Sequence, residues 1–305
     1  MQKLVGSLVG CWWLLACGGN DAATPEVGSP SVEASKGAAG GTLAGKPGAP
    51  SGATPGVGGT TSTLPAGTCV SLAASLGDAL RVATIALDTG VVTLGASVTL
   101  PGDGAYDVTS LGLVDDMLYA CLGKAGLEDG TLHTIQRASG AVVSANVACS
   151  AATTDASGLW VMTGGGTPSL IRYANLASAQ AKQTSTTFPI ASVESIGPGK
   201  DTLYGAWHSA AQILRIDRAT GQSSPLVLEG FNGWIFGLSS ASGDRVVIST
   251  PSDLGGEGVL AVFDGKTGKR IGRVGTAEAN STFRGVVCSD AGGSATPTKL
   301  PSEPR

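Results

Sequence analysis

The chain has 305 residues and a formal net charge of −4; 42% of it is hydrophobic, but only 5% is aromatic and 14% charged. Lys and Arg are scattered along it with no basic stripe of the kind a phosphate backbone requires, so composition excludes a nucleic-acid partner. A helical fold is excluded as well, because no stretch longer than ten residues keeps apolar positions at 3.6-residue spacing without Gly or Pro.

The N-terminus carries one basic residue, Lys3, and then an apolar run from Leu4 to Leu15, about 12 residues long. A bilayer-spanning helix needs about 20 apolar residues and a signal-peptide core about 7 to 15, so length selects a cleaved export signal. The run ends Leu14-Leu15-Ala16-Cys17. This resembles the lipobox of bacterial lipoproteins, in which an apolar residue, a tolerant position and a small residue precede a cysteine that is acylated. The resemblance implies cleavage after residue 16 and lipidation of Cys17 with palmitate-type chains. Each buried methylene contributes about 0.8 kcal/mol, so three chains would make a permanent membrane lipid anchor. Gly18 stands where such lipoproteins often carry an aspartate for inner-membrane retention, which implies an outer-membrane location. Removing residues 1–16 takes away Lys3 alone, so the charge moves from −4 to −5.

From Gly18 to Ala66 nearly every residue is Gly, Ala, Pro, Ser or Thr, and none is aromatic. With so little apolar area to offset chain entropy, residues 17–66 read as the lipidated cysteine followed by a disordered tether, roughly 35 to 42 Å in root-mean-square length. Residues 67–290 form a body large enough for a sizeable core, and residues 291–305 return to Gly, Ser and Pro as a disordered tail.

Within the body one phrase recurs: an apolar-rich run, a short polar stretch, then Thr-Gly or Ser-Gly. It ends at Thr89-Gly90, Ser139-Gly140, Thr220-Gly221 and Thr267-Gly268, with a degenerate copy at Leu170 to Tyr173. The glycine readily takes the positive φ that a bulged hairpin turn demands. A second phrase, a turn and then an apolar strand, precedes most copies: Asp115-Asp116, Ser157-Gly158, Lys200-Asp201 and Gly243-Asp244 each lead into one. Each unit therefore reads as four strands. The turn glycines lie 50, 81 and 47 residues apart, the long interval spanning the degenerate copy, which averages about 45 per unit. That is the period of a propeller blade.

The pattern is similar to the YVTN and quinoprotein-like propeller repeats, on the strength of Leu118-Tyr119-Ala120, Leu203-Tyr204-Gly205 and Ile216-Asp217-Arg218-Ala219-Thr220-Gly221. The expected fold is all-β, a β-propeller of about five four-stranded blades. The N-terminal unit, Cys69 to Leu100, has room for three strands and Thr282 to Cys288 for one, so the two ends are expected to share the closing blade. A solenoid or an irregular β-sandwich are the alternatives, since long-period β repeats are not unique to propellers.

Four cysteines remain once Cys11 leaves with the signal and Cys17 is acylated, and four allow three pairings. Cys69 with Cys288 is the preferred disulfide, because both fall on the closing blade; Cys121 with Cys149 then follows, with buried free thiols as the alternative. No metal site is expected: Cys-x-x-Cys does not occur, and His133 and His208 lie far from the cysteines in sequence.

Some five-bladed propeller enzymes place carboxylates on their innermost strands. Asp107, Asp155 and Glu194 fall near those strands but at different offsets within their units, and Asp155 sits in an Asp-Ala-Ser-Gly sequence that suits turn capping. His208, beside Trp207, reads as an edge or loop residue. Trp160, Trp207 and Trp234 sit in different units, which does not suit a quinone pocket, and no cofactor is expected. The reading is a membrane-anchored envelope lipoprotein with a non-enzymatic propeller, a binding or scaffold domain for an envelope protein or glycan; the alternative is an envelope hydrolase or quinoprotein-like enzyme on the same scaffold.

Overall fold

The computed structural model describes residues 64–65, 67–75, 80–101, 106–124, 130–164, 167–191, 193–207, 211–241, 244–250, 259–275 and 281–289. Cys17, most of the expected tether and the tail from 291 lie outside the described residues. Three strands open the fold: β1 (Thr68–Ser75), β2 (Leu80–Ala86) and β3 (Val92–Val98). Blade 2 follows as β4 (Tyr106–Val114), β5 (Met117–Lys124), β6 (Gly130–Gln136) and β7 (Val142–Cys149). Blade 3 is β8 (Ala151–Asp155), β9 (Gly158–Thr163), β10 (Ser169–Tyr173) and β11 (Thr184–Pro189), with a one-turn helix α1 (Leu176–Gln180) before its last strand. Blade 4 is β12 (Ser195–Pro198), β13 (Thr202–Ala206), β14 (Gln212–Asp217) and β15 (Ser223–Val227). Blade 5 is β16 (Gly237–Ala241), β17 (Arg245–Thr250), β18 (Val259–Asp264) and β19 (Arg270–Gly275). The last strand, β20 (Ser281–Cys288), pairs with β1 and completes blade 1. The protein is thus a five-bladed β-propeller of four-stranded antiparallel sheets, closed by strands from both ends of the described chain.

The apolar side chains explain the closure. They fall into five clusters, one in each gap between neighbouring blades: Leu72 and Val82 meet Leu111 and Leu118, and Leu132 and Cys149 meet Leu159 and Val161. Trp160 and Leu170 meet Ile196 and Leu203, and Ile213 and Leu226 meet Ile248 and Phe263. The fifth cluster joins Val247, Leu260 and Val262 of blade 5 to Ile85 and Phe283 of blade 1. A solenoid would leave those last faces in water, and burying side chains of this size contributes about 1.5 to 3 kcal/mol each. Burial falls outward within a blade: β12 and β16 are buried at every residue, while β15 is buried only at Leu226.

Four of the five blades share one turn between their outer two strands. The N–H groups of Gly90, Gly140, Gly221 and Gly268 reach back to the carbonyls of Ala86, Gln136, Asp217 and Asp264 at 2.9, 2.7, 2.8 and 2.8 Å. All four glycines have φ between +72 and +74°, a region other residues enter only under strain. Blade 3 departs from this at the degenerate copy. After β10, Asn175 caps a helical turn by accepting from the Ser178 N–H at 2.9 Å, and Lys182, at φ +55°, turns the chain into β11. The helix was not anticipated, because a five-residue turn has too few residues to show a period.

Two disulfides are present. Cys69 and Cys288 are register partners in β1 and β20, with Cα atoms 3.9 Å apart, closer than the usual 4.4 to 6.8 Å. Cys121 on β5 and Cys149 on β7 are joined across the intervening β6, with Cα atoms 5.9 Å apart. That span is open because β7 carries two residues more than β6 between the pairs Thr131/Ala148 and His133/Ser144, so its end bulges back over the sheet. Leu64, just ahead of the expected domain start, packs in the cluster between blades 1 and 2.

Candidate functional site

A propeller offers three places for chemistry: its axis and its two faces. The innermost strands run parallel, since Thr153 and Thr154 hydroxyls donate to Leu111 and Leu113 carbonyls at 2.8 and 3.0 Å, in step along β8 and β4. At mid-height the axis is occupied by backbone. The Ser195 hydroxyl donates to the Thr109 carbonyl at 2.6 Å and the Ile196 N–H to the Ser110 hydroxyl at 2.8 Å, linking blades 4 and 2 across the ring. An extra residue in β4 between Val108 and Leu111 pushes that strand inward to meet β12. Glycine supplies the remaining clearance: a Cβ on Gly197 would lie 1.9 Å from the Leu238 carbonyl oxygen.

Because those strands are parallel, the expected carboxylates separate by end. Glu194 immediately precedes β12 and is exposed, on the face that carries the connections between blades, called here the crossover face. Asp107 lies near the start of β4, toward the same face, and its side chain is outside the described residues, as is His208. Asp155 ends β8 on the opposite face, which carries the Thr-Gly turns. Its carboxylate caps the turn by accepting from the N–H and hydroxyl of Ser157, both at 2.6 Å. It also accepts from the Trp160 indole at 2.9 Å and pairs with the Arg218 guanidinium of blade 4 at 3.3 Å. Asp155 is therefore a latch between blades 3 and 4 as well as a cap. His133 is buried on β6; its Nδ1 lies 2.9 Å from the Thr131 carbonyl, which only accepts, so Nδ1 carries the proton. No group of three or more His, Cys, Asp or Glu arranged to hold a metal occurs among the described residues.

Among the described residues of the crossover face, one aromatic side chain is exposed. The connection from β15 to β16, residues 228–236, buries Leu228, Phe231 and Ile235 between blades 4 and 5 while leaving Trp234 57% exposed. Its last residue, Phe236, accepts from the Gly285 N–H at 2.7 Å and lies under the Arg284 guanidinium, 4.2 Å from the ring centroid. The indole thus stands on a segment pinned at both flanks. Trp207 is half-buried against the cluster between blades 3 and 4.

On the turn face, blades 4 and 5 leave a cleft of about 190 Å³. Register places Tyr204 on β13 opposite Arg215 on β14, and both reach toward blade 5. Arg215 Nη2 donates to the Lys266 carbonyl at 2.9 Å, and Lys266 Nζ pairs with Asp244 at 2.9 Å. Ser240, 4% exposed, lines the opposite wall, and Lys200 and Asp201 form the rim. Burial, chiefly, raises the Tyr204 pKa and keeps its hydroxyl protonated. The Ser240 hydroxyl and Arg215 Nε are buried without hydrogen-bond partners.

The sequence matches no family model and no curated protein. Among solved structures, the chain is similar to one in a crystal structure of a nidogen/laminin complex, at TM-score 0.47 and 9% identity, covering 73% of this chain and 98% of that one. It is also similar to a quinoprotein alcohol dehydrogenase-like protein from Bacteroides thetaiotaomicron, at TM-score 0.38 and 8% identity, covering 74% and 79%. Likenesses this distant carry no argument about ligand or activity; the propeller assignment rests on strand order and register.

Trp234 was visible in the sequence as one of three body tryptophans, but its exposure was not. The cleft was missed altogether. Tyr204 and Arg215 are 11 residues apart and Ser240 belongs to the next blade, so no local pattern joins them. Only the register of β13 with β14 and the docking of blade 5 bring them together.

Proposed function

We propose that the chain is a lipid-anchored protein of the bacterial cell envelope, held through acylated Cys17 in the outer membrane, whose propeller is a non-enzymatic binding or scaffold domain. Residues 1–16 are the export signal, 17–66 the lipidated tether and 291–305 a free tail in this reading. The observation that carries the binding function is Trp234: a large apolar side chain held in water on a segment that buries Leu228, Phe231 and Ile235. Tryptophan is among the residues that dominate binding energy at interfaces. The axis, by contrast, is taken up by strand-to-strand hydrogen bonds, and the Asp155 carboxylate is committed to four donors.

Geometry supports a presenting role. The described chain enters the ring at Thr68 and leaves it at Ser289, both on the turn face, where the Ser289 hydroxyl donates to the Pro65 carbonyl at 2.6 Å. The crossover face and Trp234 therefore lie at the opposite end of the ring from the points where the described chain enters and leaves. The test is binding of the purified protein to isolated outer-membrane proteins by co-sedimentation, against Trp234→Ala. The variant should bind about tenfold more weakly with an unchanged melting temperature; equal retention by both proteins rejects the crossover face as the binding surface. Detergent-phase partitioning of Cys17→Ser and mass spectrometry of the mature N-terminus test the anchor, which an unmodified Cys17 would refute.

A further inference from the structure

The cleft on the turn face lies at the opposite end of the ring from Trp234 and has features of its own. Its volume, about 190 Å³, is below the 300 to 1,000 Å³ typical of drug-sized ligand sites and equals about six water volumes, enough for one small ring with its substituents. Its walls carry charges of both signs, Lys200, Arg215 and Lys266 against Asp201 and Asp244. A bare anion bound there would approach two carboxylates, and a bare cation would approach three cationic side chains. A neutral ligand bearing hydroxyl groups meets neither penalty. Each of its hydroxyls can donate to a carboxylate or accept from a cation, and such charge-assisted bonds are the stronger kind.

A second observation points to an occupant. Ser240 is 96% buried, lines the cleft, and its hydroxyl has no partner; the Arg215 Nε beside the same cleft has none either. Buried polar groups are paired in the great majority of cases, and leaving one unpaired costs about 1 to 3 kcal/mol. Neither group is required by the ring. Arg215 already reaches blade 5 through Lys266, and other innermost-strand hydroxyls, such as Ser195 and Thr153, are satisfied by backbone.

We propose that this interblade cleft is a binding site for a single neutral sugar unit, held by hydrogen bonds to Arg215, Ser240, Tyr204 and the rim pair Lys200 and Asp201. The protonated Tyr204 hydroxyl suits that role, since it can donate as well as accept. The unit is either a free monosaccharide or the end of a glycan; the recognising chemistry is the same.

Saturation-transfer NMR on the purified full chain tests this, with glucose, galactose and N-acetylglucosamine as neutral probes and acetate and choline as charged ones. At least one sugar should receive saturation, and neither charged probe should compete with it. Lactose and maltose then separate the two sources: a glycan end admits a disaccharide, whereas a site for a free sugar rejects it. Ser240→Ala, Arg215→Met and the exposed rim variant Asp201→Ala should each weaken binding, the first two by roughly tenfold or more, with melting temperature as the check on folding. Trp234→Ala should leave the sugar signal unchanged, so this site and the crossover face stand or fall separately. Absence of signal from every sugar, displacement by acetate or choline, or unaltered binding in all three cleft variants overturns the proposal.

Discussion

Replacing Asp155 with alanine removes both of its roles, turn cap and interblade latch. The side chain is 6% exposed and its two oxygens take four donors. Alanine leaves the indole N–H of Trp160, a fully buried residue, without a partner, which costs about 1 to 3 kcal/mol. It also unpairs Arg218. Breaking a buried ion pair from one side typically costs about 3 to 5 kcal/mol, but the Arg218 side chain is 21% exposed and keeps the carbonyls of Thr202, at 3.2 Å, and Gly199. The electrostatic part therefore falls well below that range, and the total is about 3 kcal/mol. For a body of this size that corresponds to a drop of roughly 6 to 12 °C in melting temperature.

Guanidinium unfolding of wild type, Asp155→Ala, Arg218→Ala and the double variant provides the assay. A latch requires coupling, so the double variant should be less destabilised than the sum of the singles by about 1 kcal/mol or more. Asp217→Ala is the comparator, since that carboxylate caps its turn through Ala219 and Thr220 in the open and should cost less. Additive single effects, or an Asp155→Ala loss no larger than that of Asp217→Ala, would refute the latch.

Chain-entropy estimates rank the disulfides: a separation of 219 residues gives about 5 kcal/mol for Cys69–Cys288, and 28 gives about 3.5 for Cys121–Cys149. Paired Ser substitutions should reproduce that order in denaturation midpoints. Gly285→Ala should destabilise by about 2 to 4 kcal/mol in the same assay, because φ is +61° and a Cβ there would sit 2.7 Å from Leu111 Cγ. Stability should also fall in acid. Asp217 is held below its ordinary 3.8 by the Thr220 hydroxyl and then by backbone N–H groups, and Asp264 is held down chiefly by the Thr267 N–H. A carboxyl depressed in the folded state contributes fully above its unfolded value and loses that contribution as pH falls through the folded one. The decline should therefore set in below about pH 4 and be shallower in Asp217→Asn combined with Asp264→Asn, as read from melting temperature against pH.

The blade count and the shared closing blade were legible because the turn that repeats is a local device. Asp217 to Gly221 and Asp264 to Gly268 each set φ, cap and hairpin within five residues, so a period survives in the sequence even where strands diverge. Blade 3 blurred the count because Asn175 and Lys182 build a different turn there. Asp155 was legible as a cap, since Ser157 is two residues away, but not as a latch, since Arg218 is 63 residues further on and meets it only once blades 3 and 4 dock.

Closing a ring with five blades also determines where side chains large enough to recognise a ligand can stand. Around the axis the inner strands approach so closely that a Cβ on Gly237 would lie 2.5 Å from the Gly285 backbone, and one on Gly112 would lie 2.7 Å from the Thr154 nitrogen. The hydroxyls of Ser71, Thr153 and Ser195 are consumed in bonding carbonyls of β20 and β4. Residues at mid-axis are thus chosen by packing, and enlarging any of them would open the ring. Beyond the ends of these strands the constraint lifts. There the connection 228–236 has length enough to bury Phe231 and Ile235 and still display Trp234, and there Tyr204 and Arg215 can lean across to blade 5. Both departures occur at the same gap between blades. Substitutions that alter ligand binding without unfolding the protein should accordingly map to the two faces of blades 4 and 5, including Ser240 at the turn-face end of β16, and those at mid-axis should register first as lost stability.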